Sequence, residues 1–356
     1  MKLLFAYFVP SGGMETLNRT RCRELQKRGI ICHLLYAKSG AGLQNNLTAI
    51  PTHITDNDHA IKHLLQTERF DAVIVNANFP MMERIRQFGF AGPVIFEVQG
   101  LGQQAQAVQT MTQASPYIRS FCNAALYPPT SHLKQLFQSF YPNLKKYCFP
   151  NIFDSDQFTY RQHTINPSPI LGWVGRIEAN KNWKSFLEIG YWMIRSNPAI
   201  RLWLFEDANI YIQEERVVFE QMLQVLNLNP KLTLFSNVPH GQMADYLSKI
   251  GDSGGFLCST SILEGFGYAV AEAMSCRCPV LSTDSDGVRS FIVHDKTGKF
   301  YPHGDIHKAV NQGLELMNHA ALRNTIRDDA QRHIRSSFSP EQYCRNFMNM
   351  MHELGV

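Results

Sequence analysis

Residues 259–279, STSILEGFGYAVAEAMSCRCP, place two glutamates, Glu264 and Glu272, around seven residues that include Gly265 and Gly267. The apolar run 255–258 predicts a buried strand and residues 269–275 predict a helix, so 264–268 forms a strand-to-helix turn. Two glycines let that turn bend tightly and let its backbone approach a ligand. The first amides of the new helix have no partners within it, so a phosphate seated there gains several hydrogen bonds and the positive end of the helix dipole. Glu264 precedes the helix and Glu272 lies about one and a half turns inside it, so the two can address opposite ends of one extended ligand. Carboxylates accept from hydroxyl pairs. A polyol at each end with a phosphate between describes a nucleotide sugar. In isolation the same two residues would read as an N-cap and a solvated helix glutamate, and the rest of the chain decides between the readings.

The chain of 356 residues is long enough for two domains with separate cores. Residues 2–9 (KLLFAYFV) read as a strand, followed by Pro10, Ser11, Gly12 and Gly13 and a helix over about 15–28, the opening of a doubly wound α/β domain. The glycine turn lacks the full G-x-G-x-x-G pattern, so no bound cofactor is expected. Gly13 reads either as a bare turn or as a close backbone approach to a ligand. Arg19, Arg21, Arg23, Lys27 and Arg28 spread over several helix faces and read as solvated surface, with contact at a membrane surface as the alternative. Strands follow at 30–37, 72–75 and 93–98, with a helix around 63–67. Ligands of doubly wound sheets lie at the carboxyl ends of strands. Asn76, Asn78, Glu97 and Gln99 are therefore candidates for acceptor contacts, each with a plain loop hydrogen bond as the alternative.

A short strand before 127–130, a helix over 133–140 and the segment YCFPNIFD (147–154) lead into a polar stretch at 160–168, read as the linker. The expected division is 1–165, 166–338 and a C-terminal helix in 339–356 packing back toward the first domain. The second half alternates strands (170–174, 201–205, 232–235, 279–282) with helices (183–194, 213–226, 241–249), which predicts another parallel sheet covered on both faces and a central cleft between two Rossmann-like domains. The turn GRIEANKN (175–182) carries Arg176 and Lys181 on the edge that also bears Glu264. Two cations there can neutralise a diphosphate, the arginine by its fork and the lysine as a point charge; surface charge is the alternative. Asp284-Ser285-Asp286 is read as a capped turn in preference to a metal pair. Residues 340–354 form an amphipathic helix whose Tyr343, Phe347, Met350, Met351 and Leu354 are packing residues.

Eight scattered cysteines in so large a chain are read as reduced thiols, with Cys276 and Cys278 packing at a helix end and no metal site expected. A net charge of +4 suits anionic substrates or an anionic membrane surface without implying nucleic acid. With no window of membrane-spanning length and no signal-peptide pattern at Met1-Lys2, a cytoplasmic protein is expected, with peripheral contact at the inner membrane face as a second reading.

With these positions in place the chain resembles the family 4 glycosyltransferases, whose two-domain architecture is called GT-B. The resemblance rests on Gly12-Gly13, PNIFD (150–154), GRIEANKN (175–182), EGFGYAVAE (264–272), PVLSTDSDG (279–287) and TGKFY (297–301), in that order. It implies that Arg176 and Lys181 hold the donor diphosphate and that Glu272 takes the ribose hydroxyls. Glu264 and the amides of Gly265, Phe266, Gly267 and Tyr268 would lie around the transferred sugar and its phosphate, and the base would rest near Ser236 to Val238. It also implies transfer with retention, no bound metal and no cofactor beyond the nucleoside diphosphate sugar. The chain departs from the family pattern in two places: at Gln99, where many members carry a histidine, and after the PVL strand, where the usual glycine pair and later glutamate appear as Asp286-Gly287 and Ser290.

The expected function is therefore a retaining hexosyltransferase that moves a sugar from a nucleoside diphosphate sugar, UDP-linked by family frequency. Arg176, Lys181 and Glu264 would act at the reacting centre. The acceptor, a glycan, a lipid-linked glycan or a small molecule, would be held by the first domain through Asn78 and Gln99, in polysaccharide or glycoconjugate synthesis. A phosphorylase or epimerase on the same architecture, or a nucleotide-sugar-binding subunit with little turnover, are the alternatives.

Overall fold

The computed structural model describes every residue except 47–48, 103 and 165–167. It divides into two compact units, Met1–Phe153 with Phe338–Val356, and Asp154–Ser337.

The first unit is built on seven strands, β1 (Lys2–Tyr7), β2 (Ile31–Tyr36), β3 (Thr52–Ile54), β4 (Ala72–Asn76), β5 (Val94–Glu97), β6 (Ala124–Tyr127) and β7 (Lys145–Cys148). They lie in the order β3-β2-β1-β4-β5-β6-β7, and each neighbouring pair is parallel. Helices α1 (Gly12–Gln26), α2 (Asp58–Glu68), α3 (Phe79–Gln87), α4 (Gln104–Phe121) and α5 (Ser131–Phe140) provide the crossovers. Strands buried on both faces read as continuous apolar runs, and Leu3, Leu4, Phe5, Val73, Ile74 and Val75 are fully buried.

The first helix corrects the sequence reading. It starts at Gly12, whose φ of +60° lies in the left-handed region open to glycine. Its basic residues are not a solvated set: Arg19 and Arg21 are buried. Arg21 Nη1 donates to both Glu97 oxygens at 2.7 and 2.8 Å, and its guanidinium lies 4.1 Å over the Phe5 ring. Arg19 pairs with Glu15 at 2.8 Å. Charge counting along the helix missed this because the partner of Arg21 comes from β5, far away in sequence.

The second unit contains β8 (Ile170–Val174), α6 (Trp183–Ser196), β9 (Arg201–Glu206), α7 (Gln213–Val225), β10 (Leu232–Ser236), α8 (Met243–Asp252), β11 (Phe256–Ser259), α9 (Tyr268–Ser275), β12 (Val280–Thr283), β13 (Lys299–Tyr301), α10 (Ile306–Asn318) and α11 (Ala320–Ser337). Its sheet runs β10-β9-β8-β11-β12-β13, again wholly parallel. Trp173, Trp183, Phe186 and Phe256 fill its core. A last helix, α12 (Pro340–Glu353), belongs to the first unit. Its buried Phe347 lies against Phe5 with ring centroids 6.1 Å apart.

The first unit ends at Phe153 and not at 165. Residues after 153 join the second unit through specific bonds: Ser275 Oγ donates to the Phe158 carbonyl at 2.5 Å, the Tyr160 hydroxyl donates to Asp252 at 3.1 Å, and the Arg161 amide donates to Ser248 Oγ at 3.1 Å. Polar composition signalled the loop there but not its attachment. Of the expected linker, Ile165, Asn166 and Pro167 lie outside the described residues. Cys276 and Cys278 are free and buried at the end of α9, and burial pushes the Cys278 thiol up to about 12. Among the described residues, no helix is long and apolar enough to cross a membrane.

Candidate active site

Three loops at the carboxyl edge of the second sheet carry most of the expected site. The first follows β8. A Cβ on Gly175 would lie 2.7 Å from the Trp173 ring and 3.2 Å from Lys181 Cγ, so the bare backbone is what lets this loop fold closely over the indole. The indole N–H of Trp173 donates to Thr260 Oγ1 at 2.9 Å, and that hydroxyl donates to the Lys181 carbonyl at 2.8 Å. Asn180 completes the attachment: its carbonyl accepts from the Ile262 amide at 2.8 Å, and its Nδ2 donates to the Leu263 carbonyl at 3.0 Å. The loop after β8 and the loop after β11 are thus one hydrogen-bonded unit.

This attachment brings Lys181 to Glu264, Nζ to Oε1 at 2.5 Å, with both side chains about four-fifths buried, at 22% and 16% exposure. An ammonium has three donors, so the contact leaves Lys181 able to meet a second anion. Arg176 stands nearer to solvent on the same loop, 3.4 Å from Glu178.

The second loop enters α9. Gly267 is the N-cap of α9 with φ of +89°, and its carbonyl accepts from the amides of Val270 and Ala271 at 3.0 and 3.1 Å. Phe266 is buried between Tyr268 and Phe291, both ring centroids at 4.8 Å. The Phe266 ring is therefore a packing group of this turn. The third loop, after β12, lies against the second: the Gly287 amide donates to the Glu264 carbonyl at 3.0 Å. Asp284 accepts from Arg289 Nε at 2.8 Å, whereas Ser285, the N-cap of the following turn, makes no side-chain cap bond, so the pair is an ion pair and not the expected cap.

Glu272 is buried, which rules out the solvated-glutamate reading. Its Oε1 lies 2.8 Å from His240 Nε2. Val238 is half-buried just before His240. It follows Asn237, whose left-handed φ of 52° is held by its amide donating to the Glu206 carbonyl at 2.9 Å.

The remaining candidates belong to the first unit. Gly13 is exposed in the first turn of α1, and Asn78 is half-buried at the head of α3. Gln99 is oriented from both sides: its Nε2 donates to Glu97 Oε1 at 2.9 Å, and its Oε1 accepts from Asn151 Nδ2 at 2.5 Å. Glu97 and Asn76 are buried, Glu97 in its ion pair with Arg21, so neither is an open acceptor contact. Sequence reading missed His240, Asn180 and Thr260 as members of the site. Each is a single polar residue beside a turn, and only the fold shows its partner. Among the described residues, no group of three or more His, Cys, Asp or Glu is arranged to hold a metal ion.

The sequence profile of the family described as "Glycosyl transferases group 1" matches residues 156–333, half of the chain. The chain belongs to this family. The match spans the three loops described above and both glutamates. A capsular polysaccharide biosynthesis glycosyltransferase, CapM of Staphylococcus aureus, is 25% identical over 190 residues, 53% of this chain and 47% of the relative. A sucrose synthase of Solanum tuberosum is 23% identical over 57% of this chain and 26% of its own length. This group 1 chain thus spans about half, or less, of the curated relatives it matches. Among solved structures, Anabaena HepE in complex with UDP-glucose superposes with a TM-score of 0.83 at 14% identity, covering 99% of this chain and 100% of that one. A sucrose-phosphate synthase from Thermosynechococcus elongatus does so with 0.80 at 17% identity, covering 99% of each. The fold is GT-B: two doubly wound, parallel-sheet α/β units.

Proposed function

We propose that this protein is a retaining glycosyltransferase that moves a hexose-type sugar from a nucleoside diphosphate sugar, UDP-linked, to an acceptor in glycan or glycoconjugate synthesis. The observation that carries the reading is the Lys181–Glu264 contact at 2.5 Å beside the glycine turn into α9, which gathers a cation, a carboxylate and the head of a helix at one place.

The diphosphate takes the amides at the head of α9, Lys181 Nζ and the Arg176 fork. Glu264 and the backbone of 265–268 receive the sugar, Glu272 the ribose hydroxyls, and the stretch at Val238 the base. As the glycosidic bond breaks, negative charge grows on the leaving diphosphate, and donors already in place stabilise it without reorganising. Countercharge comes from the protein, so no metal is assigned to the step. The departing phosphate oxygen takes the acceptor proton, on the face the donor leaves. In the first unit, Gln99 and Asn78 supply acceptor contacts, with Gly13 as a close backbone approach to a ligand. The UDP assignment is supported by the UDP-glucose bound in the HepE complex, and a glycan acceptor by the capsular relative. The free, scattered cysteines suit a reducing compartment, which supports a cytoplasmic site of action.

The test is a thermal-shift panel with UDP, GDP, ADP and their sugars. A ligand at about a hundred times its dissociation constant stabilises by about 2.7 kcal/mol. A shift with UDP and its sugars is the expected result, and no shift with any nucleotide would remove the assignment.

A further inference from the structure

The contact between His240 and Glu272 is supported from more than one direction. Glu272 lies in α9, 4% exposed, with Oε1 taken up by His240 Nε2 at 2.8 Å. His240 opens the short turn His240–Gln242 just beyond the edge strand β10, and its ring leans on Phe158 with centroids 4.7 Å apart at 57°. Phe158 is fixed in turn by α9 itself, because Ser275, one turn after Glu272, donates its hydroxyl to the Phe158 carbonyl at 2.5 Å. The helix that carries the carboxylate therefore also anchors the ring that backs its partner.

A glutamate's terminal torsion is broad and two-fold, so a carboxylate with no fixed partner presents its oxygens in many directions. Pinning Oε1 removes that freedom and leaves Oε2 aimed one way. We propose that His240 is a positioning residue for nucleotide recognition. It holds Glu272 so that one oxygen is presented to the vicinal hydroxyls of a ribose, and this makes the site discriminate ribonucleotides from 2′-deoxyribonucleotides. The inference rests on the reading of Glu272 as the ribose acceptor and adds the residue that makes it selective. A hydroxyl bonded to a charged, buried acceptor gives a preference of roughly tenfold or more, and an unpinned carboxylate gives much less.

The experiment is isothermal titration of the intact protein with UDP, GDP and ADP and with the 2′-deoxy form of each. The wild type is expected to favour the ribo form of its preferred nucleotide by roughly tenfold. His240→Gln, whose amide nitrogen reaches about as far as imidazole Nε2, is expected to keep that preference. His240→Asn, of the same polarity but too short to reach, is expected to lose it, bringing the ratio near unity. Comparing two amides separates positioning from general packing, and the melting temperature of each variant confirms that it is folded. A preserved ratio in His240→Asn would overturn the positioning role while leaving Glu272 as ribose acceptor. A wild type that binds ribo and deoxy forms equally would overturn the Glu272 reading, and with it this inference. Failure to bind any of the six would overturn the nucleotide reading as a whole.

Discussion

Gly287 approaches Glu264 so closely that a Cβ added at 287 would lie 2.4 Å from the Glu264 carbonyl oxygen and 2.7 Å from the Gly265 carbonyl carbon. Both neighbours are backbone, which cannot swing aside as a side-chain end would. The loop after β12 thus sets the position of the turn into α9, and glycine at 287 has a steric reason.

Gly287→Ala is accordingly expected to displace the Glu264–Gly265 backbone. Overpacking of this kind costs about 1–3 kcal/mol. A shift of about 1 Å at a reacting centre costs on the order of a hundredfold in rate. Turnover should therefore fall far more than stability, as read by a transfer assay beside a urea titration. Equal, small losses in both would contradict the contact.

Arg21 and Glu97 form a buried pair inside the first unit. Burial opposes the charge on Arg21, but Glu97, Tyr343 and Cys22 together outweigh it, so the guanidinium pKa is raised. Removing one partner leaves the other charged and unpaired, so Glu97→Ala is expected to cost about 3–5 kcal/mol. The double variant Arg21→Met with Glu97→Leu should recover much of that loss, since apolar replacement of a whole buried pair is often neutral. Denaturant midpoints of the three proteins test this; a Glu97→Ala loss below about 1 kcal/mol would contradict it.

His33 and His53 stack in the first unit, with ring centroids 5.3 Å apart and His33 Nδ1 3.1 Å from His53 Nε2. Burial holds both below their ordinary value of 6.5; Glu68 opposes this in each, while His53 and Lys2 add to the lowering of His33. The folded state therefore resists protons that the unfolded chain accepts. The resulting stability is fully present above 6.5, falls as the pH drops through that value, and levels off once the folded histidines protonate. Denaturant midpoints measured from about pH 8 to about pH 5 should decline on acidification, and His33→Asn with His53→Asn should flatten the decline. An unchanged slope in the double variant would contradict the assignment.

Much of the fold was legible because parallel strands buried on both faces leave unbroken apolar runs, as in β1, β4 and β8. The short strands were not. β3 is only THI and β7 is KKYC, an exposed or half-buried edge without a hydrophobic signature. The helix α4 has Pro116 inside it and reads poorly as a periodic stripe. Within the site, the glycine turn and its two glutamates carried enough local pattern to be found, as did the turn with Arg176 and Lys181. His240, Asn180 and Arg21 did not, because what distinguishes them is a partner distant in sequence: α9 for His240, the loop after β11 for Asn180 and β5 for Arg21. Pairing of this kind is set by topology and leaves no mark on neighbouring residues.

The central claim is that Arg176 and Lys181 meet the charge of a leaving diphosphate. The most direct measurement is turnover of a UDP-sugar donor by Arg176→Ala and Lys181→Ala, each beside its melting temperature. The account predicts losses of roughly a hundredfold or more in kcat, the scale for removing a preorganised charge donor, with melting temperatures close to wild type. Turnover within about twofold of wild type in both variants would contradict it.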